Sequence, residues 1–222
     1  MKRKGLFVTG TDTSVGKTVA SAALLHRYSS TVPLRYWKPV QTGIEQDDDT
    51  AEVRRLSACA DGVVLDEGVR LPRPVSPHLA ARLSGADIRI PSLLATLDGQ
   101  PSGPAWIVEG AGGVLVPLNE SDLIVDLVSA LDLAALVVAR STLGTINHTL
   151  LTIEVLRTRG VPVAGVLMIG PVNDENRSAI EGYGTIMVVG QLPILDPLDA
   201  EALDAWAATG LDPQGCLLEH LQ

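Results

Sequence analysis

Aromatic residues are scarce: one Phe, three Tyr and three Trp make up 3% of the 222 residues. The core must therefore be built from Val, Leu, Ile and Ala. No basic–aromatic interleaving is present to stack on nucleic-acid bases. Positive charge is also in deficit, with 17 Lys and Arg against 26 Asp and Glu and a formal net charge of -9. That balance argues against nucleic acid or an anionic membrane as the main partner. Cysteine occurs twice, at Cys59 and Cys216. The two are far apart and in no metal-like spacing, so they read as free thiols in a reducing compartment. No apolar run approaches the ~20 residues of a membrane span. The apolar "LFVTG" after the basic start is too short for a signal peptide. The expectation is a cytoplasmic protein that neither enters a membrane nor binds nucleic acid. A nucleophile-elbow serine motif and zinc-spaced histidine pairs are missing too. None of His26, His78, His148 and His220 is expected to be catalytic.

Hydrophobic residues (46%) and charged residues (19%) stand in the proportion of a globular chain. At ~150 residues per domain, the length fits one large domain. Apolar runs alternate with helix-like ones. "GLFVT", "LRYWKPV", "AWIVEG", "LAALVVA", "VPVAGVLMI" and "GTIMVVGQLPI" read as six strands. Several are apolar on consecutive residues, the pattern of strands covered on both faces. Helical stretches follow from about Lys17, over "TAEVRRLSA", and over "INHTLLTIEVLRTRG", where Gly160 suits a C-terminal cap. "LPRPVSPHL" and "DGQPSGP" read as loops around a helical middle. The fold expected is a single three-layer α/β domain over 1–222, with a mostly parallel sheet and helices on both faces. Ligands of such sheets bind at the carboxyl ends of the strands.

The segment "GTDTSVGKT", Gly10 to Thr18, lies between the first strand and the first helix. Its Gly-Lys-Thr end is that of a phosphate-binding loop, although five residues instead of four separate Gly10 from Gly16. A loop feeding a helix N-terminus can wrap backbone N–H groups around phosphate oxygens, and the helix dipole adds partial positive charge. Thr13, Ser14, Val15 and Gly16 would supply that cradle. Lys17, expected as an exposed loop lysine, would reach the outer phosphates, and the Thr18 hydroxyl would ligate Mg²⁺.

Further polar residues stand where apolar strands end. Lys38 in "WKPV" is costly unless paired. In "QDDDT", Asp47, Asp48 and Asp49 can cap the following helix or bind Mg²⁺, and spacing does not choose among them. Glu109 ends "AWIVEG" beside the loop, where an acidic metal partner would sit. Gly112 allows a close backbone approach. In "STLGTIN", Thr145 could cap a helix whose free N–H groups make an anion site. Gly170 stands about where a base-reading Asn would be looked for, with Asn173 further along. Glycine there implies looser base discrimination.

"VTGTDTSVGKT" closely resembles the loop of the dethiobiotin synthetases, a branch of the P-loop ATPases. The likeness recurs in "WKPVQTG" at 37–43, "DDDTAEV" at 47–53, "SPHLAA" at 76–81, "VEGAGGVLVPL" at 108–118 and "LGTINHTLLT" at 143–152. It implies formation of the ureido ring of dethiobiotin from 7,8-diaminononanoate, CO₂ and ATP, with Mg²⁺. Lys17 and Lys38 are then catalytic. Thr11, Lys38 and Thr42 meet the substrate, and Asp49 is the metal-binding acid of the triplet, with Thr18 and Glu109. The segment with Gly144, Thr145 and Asn147 would bind the substrate carboxylate from the neighbouring subunit of a homodimer. Ser14 departs from the pattern, since relatives can carry a carboxylate there. A partition-type ATPase switch shares the loop type but would carry a lysine early in the loop, which Thr11 to Ser14 do not offer. A cobyrinic-acid-type amidoligase would need a glutaminase domain for which the chain is too short.

Overall fold

The computed structural model describes residues 3–222. In chain order the elements are β1 (Gly5–Gly10), α1 (Lys17–Tyr28), β2 (Leu34–Trp37), β3 (Val40–Thr42), α2 (Asp49–Ser57), β4 (Val64–Leu65), β5 (Val69–Leu71), α3 (Pro77–Ser84), α4 (Ile90–Asp98), β6 (Ala105–Gly113), α5 (Ile124–Leu131), β7 (Ala134–Arg140), α6 (Thr145–Thr158), β8 (Val163–Ile169), α7 (Asp174–Gly184), β9 (Val188–Leu192) and α8 (Ala200–Gly210). A 3₁₀ turn over Cys216–His220 follows.

Seven strands form one sheet in the order β4-β2-β6-β1-β7-β8-β9. Every pairing in it is parallel. All six residues of β1 are buried, and its side chains divide between two cores. Phe7 packs with α3 to α7 on one face, and Leu6 and Val8 pack with α1, α2 and α8 on the other. This two-sided burial is why the central strands read as unbroken apolar runs. It also confirms the expected three-layer α/β architecture. Among the described residues, no helix is long and apolar enough to cross a membrane.

Three features differ from the sequence expectation. "LRYWKPV" is not one strand. It breaks at Lys38-Pro39, and β3 leaves the main sheet to pair in parallel with β5 as a separate two-stranded ribbon. Pro39 has no N–H to give a ladder, and its carbonyl accepts instead from Val69 N–H at 2.8 Å. The short strands β4 and β5 supply two and three residues, too few for any period to show. The helices α5, α7 and α8 are elements for which the sequence reading offers none.

Candidate active site

Register builds the site. Trp37 of β2 lies opposite Val108 of β6, so Lys38 and Glu109, one residue on, stand side by side. Glu109 in turn lies opposite Val8 of β1, two residues before the phosphate loop begins. Helix α2 packs against α1 and brings Asp49 to the same point. Lys17, Thr18, Lys38, Thr42, Asp49 and Glu109 all line one cleft of about 670 Å³ at the carboxyl ends of the strands. Thr13, Ser14, Gly16 and Gly112 line it as well. Val15 points away, and its side chain is buried in the core beneath the loop. Only its backbone is available to a ligand.

Lys38 is 3% exposed and Glu109 fully buried. Lys38 Nζ lies 2.7 Å from Glu109 Oε1 and also bridges to Asp49. Burial works against the ammonium charge, but the carboxylates of Glu109 and Asp49 outweigh it and hold the Lys38 pKa above its ordinary value. For Asp49, burial is likewise outweighed by Lys38, and its pKa is lowered. The cost of a buried strand-end lysine is thus met by pairing, as a buried charge requires.

Lys17 differs from the exposed lysine expected. It is the first residue of α1 and 7% exposed, and its Nζ donates to the Asp12 carbonyl at 3.1 Å. Burial, with the nearby Lys38 charge, lowers its pKa to about 8. Gly16, the helix N-cap, has φ 97°, and a Cβ there would lie 2.6 Å from Ile169 Cδ1. The glycine is therefore called for by backbone conformation before any phosphate approaches. Ser14 has φ 54°, an uncommon conformation for a side-chain-bearing residue.

The three acids separate by role. Asp48 is the N-cap of α2, and its carboxylate accepts from Thr50 N–H at 3.0 Å and Ala51 N–H at 3.1 Å. Asp47 lines the cleft, with its pKa raised by burial and the Asp49 charge. Asp49 faces Thr18, whose Oγ1 lies 2.9 Å from Asp49 Oδ1 and 3.1 Å from Glu109 Oε1. A threonine hydroxyl has one proton. It cannot satisfy both carboxylates, so one of these oxygen pairs has no proton between it. Three hard oxygens, one each from Thr18, Asp49 and Glu109, gather here, and such a set suits a small divalent cation that keeps phosphate and water as its other ligands. Among the described residues, no group of three or more His, Cys, Asp and Glu side chains is placed to hold a metal ion by itself.

Other expected residues lie elsewhere. Thr11 lines a second cavity of about 590 Å³ that shares Thr13 and Val116 with the first. Its walls are mainly apolar, with Val114, Leu115, Leu151 and Val155, and His148 lines it too. Gly144, not Thr145, is the N-cap of α6, with φ 94°. Thr145 is instead buried as the first helical residue, its hydroxyl 3.4 Å from that of Thr149. Asn147 is exposed. Gly144, Thr145 and Asn147 line neither of these two cavities. Gly170 lies outside both, and a Cβ at its φ of 130° would meet Ser141 Oγ at 2.5 Å.

The sequence reading missed Ser21, Tyr36 and Arg70. Ser21 is one helical turn beyond Lys17, and Tyr36 two strand positions before Lys38. Each spacing places the side chain on the same face as a cleft lysine, Lys17 for Ser21 and Lys38 for Tyr36, a signal that was available. Arg70 had none. Its Nη1 donates to the Lys38 carbonyl at 2.8 Å, and Nη2 to Asp66 O at 3.1 Å.

A family model described as an AAA domain matches residues 4–202. The ATP-dependent dethiobiotin synthetase of Brucella ovis is 45% identical over 198 residues, covering 89% of this chain and 90% of that protein. The enzyme of the same name from Brucella abortus strain S19 is 44% identical over the same length. This chain belongs to the dethiobiotin synthetase family. Solved structures similar to it include the MinC:MinD cell division complex of Aquifex aeolicus, with TM-score 0.62 and 11% identity over 99% of this chain and 97% of that one. A ParA family ATPase of Chlorobium tepidum TLS has TM-score 0.58 and 9% identity over 93% and 98%. At such identities these structures speak to the fold alone. It is the P-loop ATPase fold, and the dethiobiotin synthetases are the relatives that share the sequence.

Proposed function

We propose that this protein closes the ureido ring of dethiobiotin from 7,8-diaminononanoate and CO₂, consuming ATP and releasing ADP and phosphate, in the cytoplasmic synthesis of biotin. The observation that carries the reading is the meeting of Lys38, two carboxylates and the Thr18 hydroxyl at one point of a chain of this family, with Lys17 lining the same cleft. One amine of the diamine takes up CO₂ as a carbamate. A carbamate oxygen attacks the γ-phosphorus as the bond to ADP breaks, giving a carbamic-phosphoric anhydride. The second amine then attacks the carbonyl carbon, loses a proton and expels phosphate. Side chains have little covalent work in such a transfer, so positioning and charge neutralisation dominate.

Lys17 and Lys38 would neutralise the phosphoryl oxygens. Thr18, Asp49 and Glu109 would hold Mg²⁺, which when bound adds positive charge against the triphosphate. The loop from Thr13 to Thr18 and Gly112 would cradle the nucleotide. Thr42, which lines the same cleft, would meet the carbamate. Thr11 and the apolar wall of the second cavity suit the methylene chain of the diamine. Its distant carboxylate would take the α6 N-terminus of a partner subunit, through Gly144, Thr145 and Asn147. Leu115 and Leu151 at the second cavity and Leu143 before α6 are each more than half exposed. Apolar residues left open in this way support a twofold homodimer.

The deciding experiment is ATP consumption with and without diamine and bicarbonate. Turnover that ignores the diamine overturns the reading. At the nucleotide base, Gly170 offers backbone contacts only, so CTP or GTP should replace ATP in part. Strict ATP preference in the same assay sinks that element.

A further inference from the structure

Beneath the cleft, the fully buried Glu109 carboxylate is met on its two oxygens by one ammonium and three hydroxyl groups. Oε1 faces Lys38 and Thr18. Oε2 accepts from Ser21 Oγ at 3.0 Å and from the Tyr36 hydroxyl at 3.0 Å. These last two donors are not equivalent. Ser21 has one proton and a second acceptor, the Lys17 carbonyl at 2.9 Å. Each bond the serine makes to that carbonyl is one it withholds from Glu109. The Tyr36 hydroxyl has Oε2 as its one hydrogen-bond partner among the described residues. A phenol keeps its proton at neutral pH, so the hydroxyl is a donor here. The ring is fully buried in the core layer of Leu34, Val53 and Leu56. A tyrosine ring has two soft torsions, and packing holds both, so the phenol oxygen is fixed relative to β2.

We propose that Tyr36 is a positioning residue of the reaction. Its phenol occupies Oε2 of Glu109 and so aims Oε1 at the cleft, where Lys38 and Thr18 meet it. Without that bond the carboxylate can turn about its last torsion, and Oε1 no longer faces the point that Thr18 and Asp49 define. The proposal rests on the cleft being the phosphoryl-transfer site described above.

Tyr36→Phe keeps the ring and removes the one proton. The Mg²⁺ concentration for half-maximal, diamine-dependent turnover should rise about tenfold, the scale of a lost bond to a charged group. Calorimetry should show the Mg²⁺-dependent gain in ATP affinity fall by about the same factor, with ATP affinity in EDTA unchanged. In a Glu109→Gln background the same substitution should alter neither readout by more than about twofold, because its partner is gone. A purely structural Tyr36 would lower the melting temperature and leave both Mg²⁺ readouts at wild-type values. That result, or equal effects in the two backgrounds, overturns the proposal. If Tyr36→Phe does not fold, Ser21→Ala decides. With the tyrosine proton still committed, it should raise the Mg²⁺ requirement by less than about threefold, and a tenfold rise would assign the positioning to Ser21. Wild-type protein without diamine-dependent turnover would fail the functional reading alone, and the calorimetric arm would still test Tyr36.

Discussion

Lys17 is the residue at which burial and function pull in opposite directions. Its ammonium is shielded from water and shares its surroundings with Lys38, so its pKa falls to about 8. A folded value below the unfolded one means that the native chain binds fewer protons than the unfolded chain between about 8 and 10.5. Through that window this group makes folding more favourable as pH rises, and its charge is a cost to stability at neutral pH. Lys17→Ala should therefore leave the melting temperature within about 4 °C of wild type. It should still cut kcat by about 10²–10³, the scale of one preorganised donor to a developing charge. Near-normal turnover would show that this loop is not the phosphate site. The triphosphate restores the charge that burial weakens. Above pH 8, ATP binding should thus take up a proton, and affinity should fall as pH rises. Calorimetry in two buffers of different ionisation heat reads both effects, and a flat affinity from pH 8 to 9.5 would contradict the assignment.

At the scale of elements, the start of α2 turns two identical neighbouring side chains to two uses. Asp48 accepts from two helix N–H groups, whereas Asp49 meets Thr18 and Lys38. Asp48→Ala should cost about 1 kcal/mol in urea unfolding, the loss of a cap, and leave the Mg²⁺ requirement as it was. Asp49→Asn should raise the Mg²⁺ requirement, and a larger shift from Asp48→Ala would reverse the two roles. Composition and spacing could not make this division, because Asp at any of the three positions reads equally well as cap or ligand. The family likeness pointed to Asp49, and the hydrogen bonds of Asp48 now give a physical reason. The long apolar strands were legible because two-sided burial leaves no polar position to confuse the pattern. The ribbon of β3 and β5 was not, since its register depends on contacts across the gap from Pro39 to Val69. Thr145 was misread as a cap because a hydroxyl before an apolar run is the usual signal. Here Gly144 takes the capping place with a left-handed backbone, and the threonine turns inward.

At the scale of the molecule, the chain gathers the residues proposed to hold the nucleotide in one cleft, without the feature proposed to anchor the far end of the substrate. Lys17, Lys38, Asp49 and Glu109 converge because neighbouring parallel strands and the first residues of α1 and α2 deliver them to the carboxyl end of the sheet, and much of that was readable from strand ends. The α6 N-terminus, with Gly144, Thr145 and Asn147, lines neither cavity of its own subunit. No periodicity within a single chain can report a site completed by a second one. If two subunits share each site, damage to the two halves should complement. Lys17→Ala removes the phosphate contact of the subunit that carries it. Asn147→Asp puts a negative charge beside the anion site lent to the partner, and should weaken diamine binding far more than ATP binding. In a mixed dimer, one site receives both defects and the other receives neither. Random exchange of equal amounts makes half the dimers mixed, each with one good site, so activity should recover to about a quarter of wild type. Sites contained within single subunits would give no recovery, because every subunit in the mixture carries a lesion. Mass spectrometry to verify exchange, followed by diamine-dependent ATP turnover, separates the two arrangements.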